Sequence, residues 1–121
     1  MAGALAAAPL AACGQSEEDR IQGTVQKFFD AERAGDVDTL CDLFANSVSN
    51  QFKRARRSCP KVLKQAGAGK GNAKVTVGQV SRDQDDRASV VVKFQRGAAP
   101  ATTRQIALLK EGGGWKIASG L

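Results

Sequence analysis

Hydrophobic and polar positions change period halfway along the chain. In the second half, Ala88, Val90, Val92 and Phe94 alternate with Ser89, Val91, Lys93 and Gln95. After Gly97–Pro100, Ile106 and Leu108 alternate with Gln105, Ala107 and Leu109. Glu111-Gly112-Gly113-Gly114 is a turn where glycine takes positive φ without steric cost, and Trp115, Ile117 and Ser119 resume the period of two. Upstream, Ala73, Val75 and Val77 alternate with Lys74, Thr76 and Gly78, which predicts a first strand to about Val80 and a charged turn from Ser81 to Arg87. Together these segments predict a four-stranded antiparallel meander with one apolar face, which helices must cover.

The first half follows helical spacing. Ile21, Val25, Phe28, Phe29 and Glu32 recur at intervals of three and four, and all but Glu32 are apolar. Glu17, Glu18 and Asp19 suit the positive end of this helix, and Gly35 stops it. Asp36 is an N-cap for a second helix carrying Val37, Leu40, Cys41 and Phe44. Asn46–Asn50 is expected as a polar break, with a short helical turn near Phe52. Ser58-Cys59-Pro60 opens a third helix, packed by Val62 and Leu63 and closed by Gly67. Ala66–Asn72 is expected as a flexible glycine-rich connector. It lacks the Gly-x-x-x-x-Gly-Lys-Ser/Thr spacing of a phosphate loop. The fold class is therefore α+β, with helices preceding a curved sheet.

A chain of 121 residues suffices for one small domain. It contains no histidine and no tyrosine, which removes His-based triads, His metal sites and the commonest acid–base residue at neutral pH. No cofactor is expected. The net charge is +6, yet Lys53, Arg54, Arg56, Arg57, Lys61, Lys64, Lys70 and Lys74 contribute +8 in one acid-free stretch, leaving −2 elsewhere. A nucleic-acid surface would carry aromatic stacking residues here, and only Phe52 is near, so no nucleic-acid partner is expected. The stretch reads as a solvated basic face, with anionic lipid head groups as the second reading.

Residues 1–13 have a different character. Ala2 to Ala12 is an uncharged small and apolar run, of signal-peptide length and too short to span a bilayer. Leu10-Ala11-Ala12-Cys13 resembles a bacterial lipobox, which implies cleavage before Cys13 and lipid on that cysteine. Residues 14–18 then form a polar tether, and residues 19–121 the domain. No Lys or Arg precedes the run, so the basic n-region usual in such leaders is missing. The competing reading is an alanine-rich leader with an idle Cys13. The expectation is an exported chain, lipid-anchored at the membrane of the cell envelope. Cys41 and Cys59 remain, and in an exported chain they are expected as a disulfide. In a cytoplasmic chain they would be two buried thiols. With no Cys-x-x-Cys, a redox role is the weakest reading.

Several features from Glu17 to Leu121 resemble the nuclear transport factor 2-like superfamily. They are Phe28-Phe29-Asp30-Ala31 in a long first helix, the Gly35-Asp36 break, Leu40-Cys41-x-Leu43, and the hairpin Leu109-Lys110-Glu111-x-x-x-Trp115-Lys116-Ile117. The chain looks most like small exported actinobacterial lipoproteins of that superfamily, which often carry a cysteine pair in the second and third helices. The resemblance implies a cone with a cavity between sheet and helices. It leaves activity open, because the superfamily holds enzymes and non-enzymes. Its ketosteroid isomerases use a tyrosine and its dehydratases a histidine, both absent here. Asp30 is the one carboxylate considered for the cavity, and a solvated helix position is the favoured reading for it.

The expected cavity walls are Val25, Phe28 and Phe29 on the first helix, and Val90, Val92, Phe94, Ile106, Leu108, Trp115 and Ile117 on the sheet. Arg104 shares its parity with Ile106 and Leu108 and is the expected charged group at the rim. Phe28, Phe29, Arg104 and Trp115 are thus the candidate ligand contacts, for a small apolar molecule with an acidic end. The expected role is non-catalytic binding of such a ligand or of an envelope protein. The alternatives are a small cavity enzyme using a carboxylate, and a structural accessory domain with a filled core.

Overall fold

Ser16 opens the first helix by accepting a hydrogen bond from the Asp19 backbone N–H at 3.2 Å. A computed structural model describes residues 16–119; Cys13 and the leader lie outside the described residues. Helix α1 runs Glu17–Ala34, ending where Gly35 adopts φ +72° and its N–H reaches the carbonyls of Ala31 and Glu32. Asp36 caps α2, Val37–Leu43, accepting from the N–H of Thr39 at 3.3 Å and its hydroxyl at 2.7 Å. These bonds, hydroxyl first, hold the Asp36 carboxyl below its ordinary pKa. Two further helices follow, α3 at Asn46–Arg54 and α4 at Cys59–Gln65.

Helix α3 replaces the polar break expected at Asn46–Asn50. Its start is stabilised from afar: the Ala45 N–H donates to the Ile117 carbonyl at 2.8 Å, and the Asn46 N–H to the Glu111 carboxylate at 3.0 Å. Glu111 thus caps a helix 65 residues upstream in sequence. Val48 and Phe52, one turn apart, are partly buried against the core. The Cys41–Cys59 disulfide is formed, joining α2 to α4 with the Cα atoms 6.1 Å apart.

The sheet is a meander in the order β1-β2-β3-β4. Its strands are Lys74–Gln84, Arg87–Gln95, Thr102–Glu111 and Gly114–Ser119, all pairing antiparallel. Strand β1 runs beyond its expected end near Val80, because Ser81, Arg82 and Gln84 keep pairing with Ser89, Ala88 and Arg87. The register shift between Val77 and Val80 permits this. Gly78 sits in that bulge; a Cβ there would come 2.9 Å from the Val91 carbonyl oxygen. Its own carbonyl accepts from the Gln22 amide at 2.8 Å, fastening α1 across β1.

The connector after α4 is fixed rather than free. The Gly69 N–H donates to the Glu32 carbonyl at 2.8 Å, and a Cβ on Gly69 would lie 3.0 Å from the Gly35 Cα. Two helix-free backbones meet there, which requires glycine at the contact. Between helices and sheet the core is solid along most of its length. Ile21, Val25, Val90, Val92, Ile106 and Ile117 are all fully buried.

Candidate functional site

The inward face of the sheet changes character along its axis. Cross-strand partners Val90–Ile106 and Ala88–Leu108 are packed under α1, while Val92–Arg104 and Phe94–Thr102 lie nearer the Gly35 end of the helix. Beyond the packed core, the Phe29 and Phe94 rings meet edge to face with centroids 5.4 Å apart. The Arg104 guanidinium lies 5.7 Å from the Phe94 ring centre. The β2–β3 loop closes the other side. The Gln95 amide donates to the carbonyls of Gly97, at 3.1 Å, and Ala99, and the Ala99 N–H donates to the Arg96 carbonyl at 3.0 Å.

These pieces line an open cleft of about 420 Å³ formed by Phe29, Glu32, Phe94, Arg96, Ala99, Pro100, Thr102 and Arg104. A smaller recess of about 60 Å³ adjoins it, sharing Phe29, Glu32, Phe94 and Arg96 and adding Arg33 and Val75. The larger volume suits a small organic ligand. The three ion pairs of the described residues, Glu17 with Arg20, Glu17 with Lys110 and Glu18 with Arg82, lie away from this cleft. Among the described residues, no carboxylate lies within 4.0 Å of Arg96 or Arg104, both of which are exposed and line the cleft.

The four expected ligand contacts separate. Phe29 and Arg104 come together in the cleft. Phe28 is 2% exposed and packs edge-on against Phe29 and Phe44, inside the core. Trp115 lies at the opposite end of α1, its indole N–H donating to the Glu17 carboxylate at 2.7 Å. Glu17 also takes the Lys110 ammonium at 3.2 Å, and Arg82 and Lys110 each stand 5.8 Å from the indole ring. The Trp115 and Lys110 hydrogen bonds hold the Glu17 carboxyl below its ordinary pKa. That cluster latches the helix start onto the sheet. Trp115 also borders a separate, wide-open groove of about 320 Å³ with Gly23, Lys27 and Gly113. By helical rise, Glu17 and Phe29 are about 18 Å apart along α1.

Asp30 is exposed, accepts from the Gln26 amide at 3.0 Å, and does not line the cleft. Sequence reasoning missed Arg96, whose loop position carries no periodic signal. Glu32 was visible as the one polar member of the apolar helical stripe. Among the described residues, no group of three metal-ligating side chains forms, and no helix is long and apolar enough to cross a membrane.

No family model and no curated protein matches the chain. Solved structures do. A nuclear transport factor 2-like protein of unknown function from Shewanella oneidensis superposes with a TM-score of 0.50 at 15% identity, covering 84% of this chain and 98% of that one. A nuclear transport factor 2-like protein from Campylobacter jejuni, assigned as a transpeptidase, gives 0.54 at 14% identity, covering 78% and 94%. A SEC-C motif containing protein from Rhodopseudomonas palustris gives 0.56 at 17% identity, covering 94% and 86%. At these identities the likeness concerns architecture alone, and the chain has the nuclear transport factor 2-like fold, four helices packed on a four-stranded antiparallel sheet.

Proposed function

We propose that this domain is a non-catalytic binding module, lipid-anchored to the cell envelope through Cys13, that takes a small amphiphile with an acidic end. The observation that carries the ligand reading is the cleft of about 420 Å³, which joins aromatic and aliphatic lining to two guanidinium groups that no carboxylate of the described residues pairs. An apolar tail removes water from Phe94, Ala99 and Pro100, and a carboxylate or phosphate takes charge-assisted hydrogen bonds from Arg96 and Arg104. The carboxylates whose pKa is displaced, Glu17 and Asp36, are engaged in a latch and a helix cap, away from the cleft. That supports binding rather than acid–base chemistry. The anchor rests on the apolar run before Cys13 and the polar residues after it, and the Cys41–Cys59 bridge suits an exported chain.

Native mass spectrometry of the protein extracted from membranes of its own host tests both halves at once. The expected result is a chain beginning at Cys13 with acyl mass added, together with a co-purifying compound bearing an acidic group. A chain retaining residues 1–12 and an unmodified cysteine contradicts the anchor, and a protein that carries no such compound and captures none from host lipid extract contradicts the ligand.

A further inference from the structure

We infer that Glu32 makes the cleft selective for a zwitterion, its cationic group held by the Glu32 carboxylate and its anionic group by Arg96 and Arg104. The inference rests on the ligand-binding reading and adds the chemistry of the head group. Glu32 follows Phe28 by four residues and Phe29 by three, so it stands at the exposed end of the row whose earlier members are buried, where it borders the cleft from the solvent side. It borders both the cleft and the adjoining recess, and no cationic side chain among the described residues lies within 4.0 Å of it.

Its position is fixed by the backbone. The Glu32 carbonyl accepts from Gly35 at 3.1 Å and from Gly69 at 2.8 Å, which holds the last turn of α1 against the connector. The C-terminal end of a helix carries partial negative charge, which adds to the carboxylate in favouring a cation there. A purely anionic ligand would gain from the arginines and be repelled by Glu32. A ligand carrying both charges turns that repulsion into attraction and leaves none of the three side chains without an opposite charge.

Calorimetric titration with hexylphosphocholine and hexyl phosphate, both below their aggregation concentrations, tests the inference because the two share one tail. The native protein should bind hexylphosphocholine about tenfold more tightly, as one added charge-assisted contact would give. Glu32→Gln should abolish that preference, and Glu32→Lys should reverse it, with melting temperatures confirming that both variants fold. Equal or tighter binding of hexyl phosphate by the native protein overturns the inference, as does an unchanged preference in Glu32→Gln. If neither compound binds while the fold is intact, the ligand-binding reading itself fails. Phosphatidylcholine vesicles separate the sources: Glu32-dependent capture by vesicles assigns a membrane head group, and monomer binding alone assigns a diffusible zwitterion.

Discussion

Phe28→Ala is expected to cost about 3–5 kcal/mol of folding stability, the range for deleting a buried aromatic ring. Phe28 is 2% exposed, and its ring touches Phe29 and Phe44, joining α1 to the segment that crosses β4. The cavity left behind is walled by residues on rigid elements, so little of it can close. For a domain of this size, the loss corresponds to a fall in melting temperature of roughly 10–20 °C. Natural domains hold only about 5–15 kcal/mol in reserve, so a measurable unfolded fraction at growth temperature is expected as well. Urea denaturation of the native protein and of Phe28→Ala gives the comparison, with Phe28→Leu as a milder variant. A denaturation midpoint unchanged by Phe28→Ala, accompanied by weakened ligand binding, would move Phe28 from the core to the site.

Loss of the Cys41–Cys59 bridge carries the second large effect. The two cysteines are 18 residues apart, and closing such a loop in the unfolded chain is worth about 3 kcal/mol. The bridge ties α2 to α4, and neither α3 nor α4 contributes a fully buried residue of its own. Those two helices therefore depend on the bridge more than α1 does. Reduction, or the double change Cys41→Ala with Cys59→Ala, should lower the melting temperature by roughly 10 °C. Hydrogen exchange should rise first in α3 and α4. Quantitative alkylation of both thiols in the untreated native protein, with no change in melting on adding reductant, would reject the bridge.

Local signals made most of the fold legible. The period of two survives in β2, in the second half of β3 from Ile106, and in β4, because those stretches bury one face in the core, whereas Thr102–Gln105 of β3 is exposed throughout. Gly35 and Asp36 mark the first helix boundary through φ and a side-chain cap, both properties of single residues. The turn near Phe52 was legible, but the start of helix α3 at Asn46 was not, because its cap comes from Glu111 on the distant hairpin. The extension of β1 was hidden by the bulge at Gly78, which breaks the alternation that the eye follows.

The site was half legible for a related reason. Parity tells which face of a sheet a residue occupies, and Arg104, on the parity of Ile106 and Leu108, lines the cleft while staying exposed where they are buried. Parity does not tell how far along the axis a residue lies. Trp115 shares its face with Ile117 but pairs with Lys110 at the hairpin end, where it meets Glu17 instead of the cleft. Arg96 follows the last residue of β2, and its approach to the cleft is set by Gln95 and the positive φ of Gly97, neither of which shows as a pattern.

A ligand is expected at the Gly35 end of the cone, between Phe29 and the β2–β3 loop, with the rest of the interior closed. The most direct measurement is a titration with decanoate followed by two-dimensional NMR of the isotopically labelled protein. Saturable shifts are expected at the amides of Phe94, Arg96, Ala99, Thr102 and Arg104, which border the cleft. An unmoved indole N–H is expected for Trp115, the single tryptophan, held by Glu17 at the far end of α1. Saturable movement of the Trp115 indole and Gly113 signals with the β2–β3 loop unchanged, or no movement anywhere, would contradict that placement.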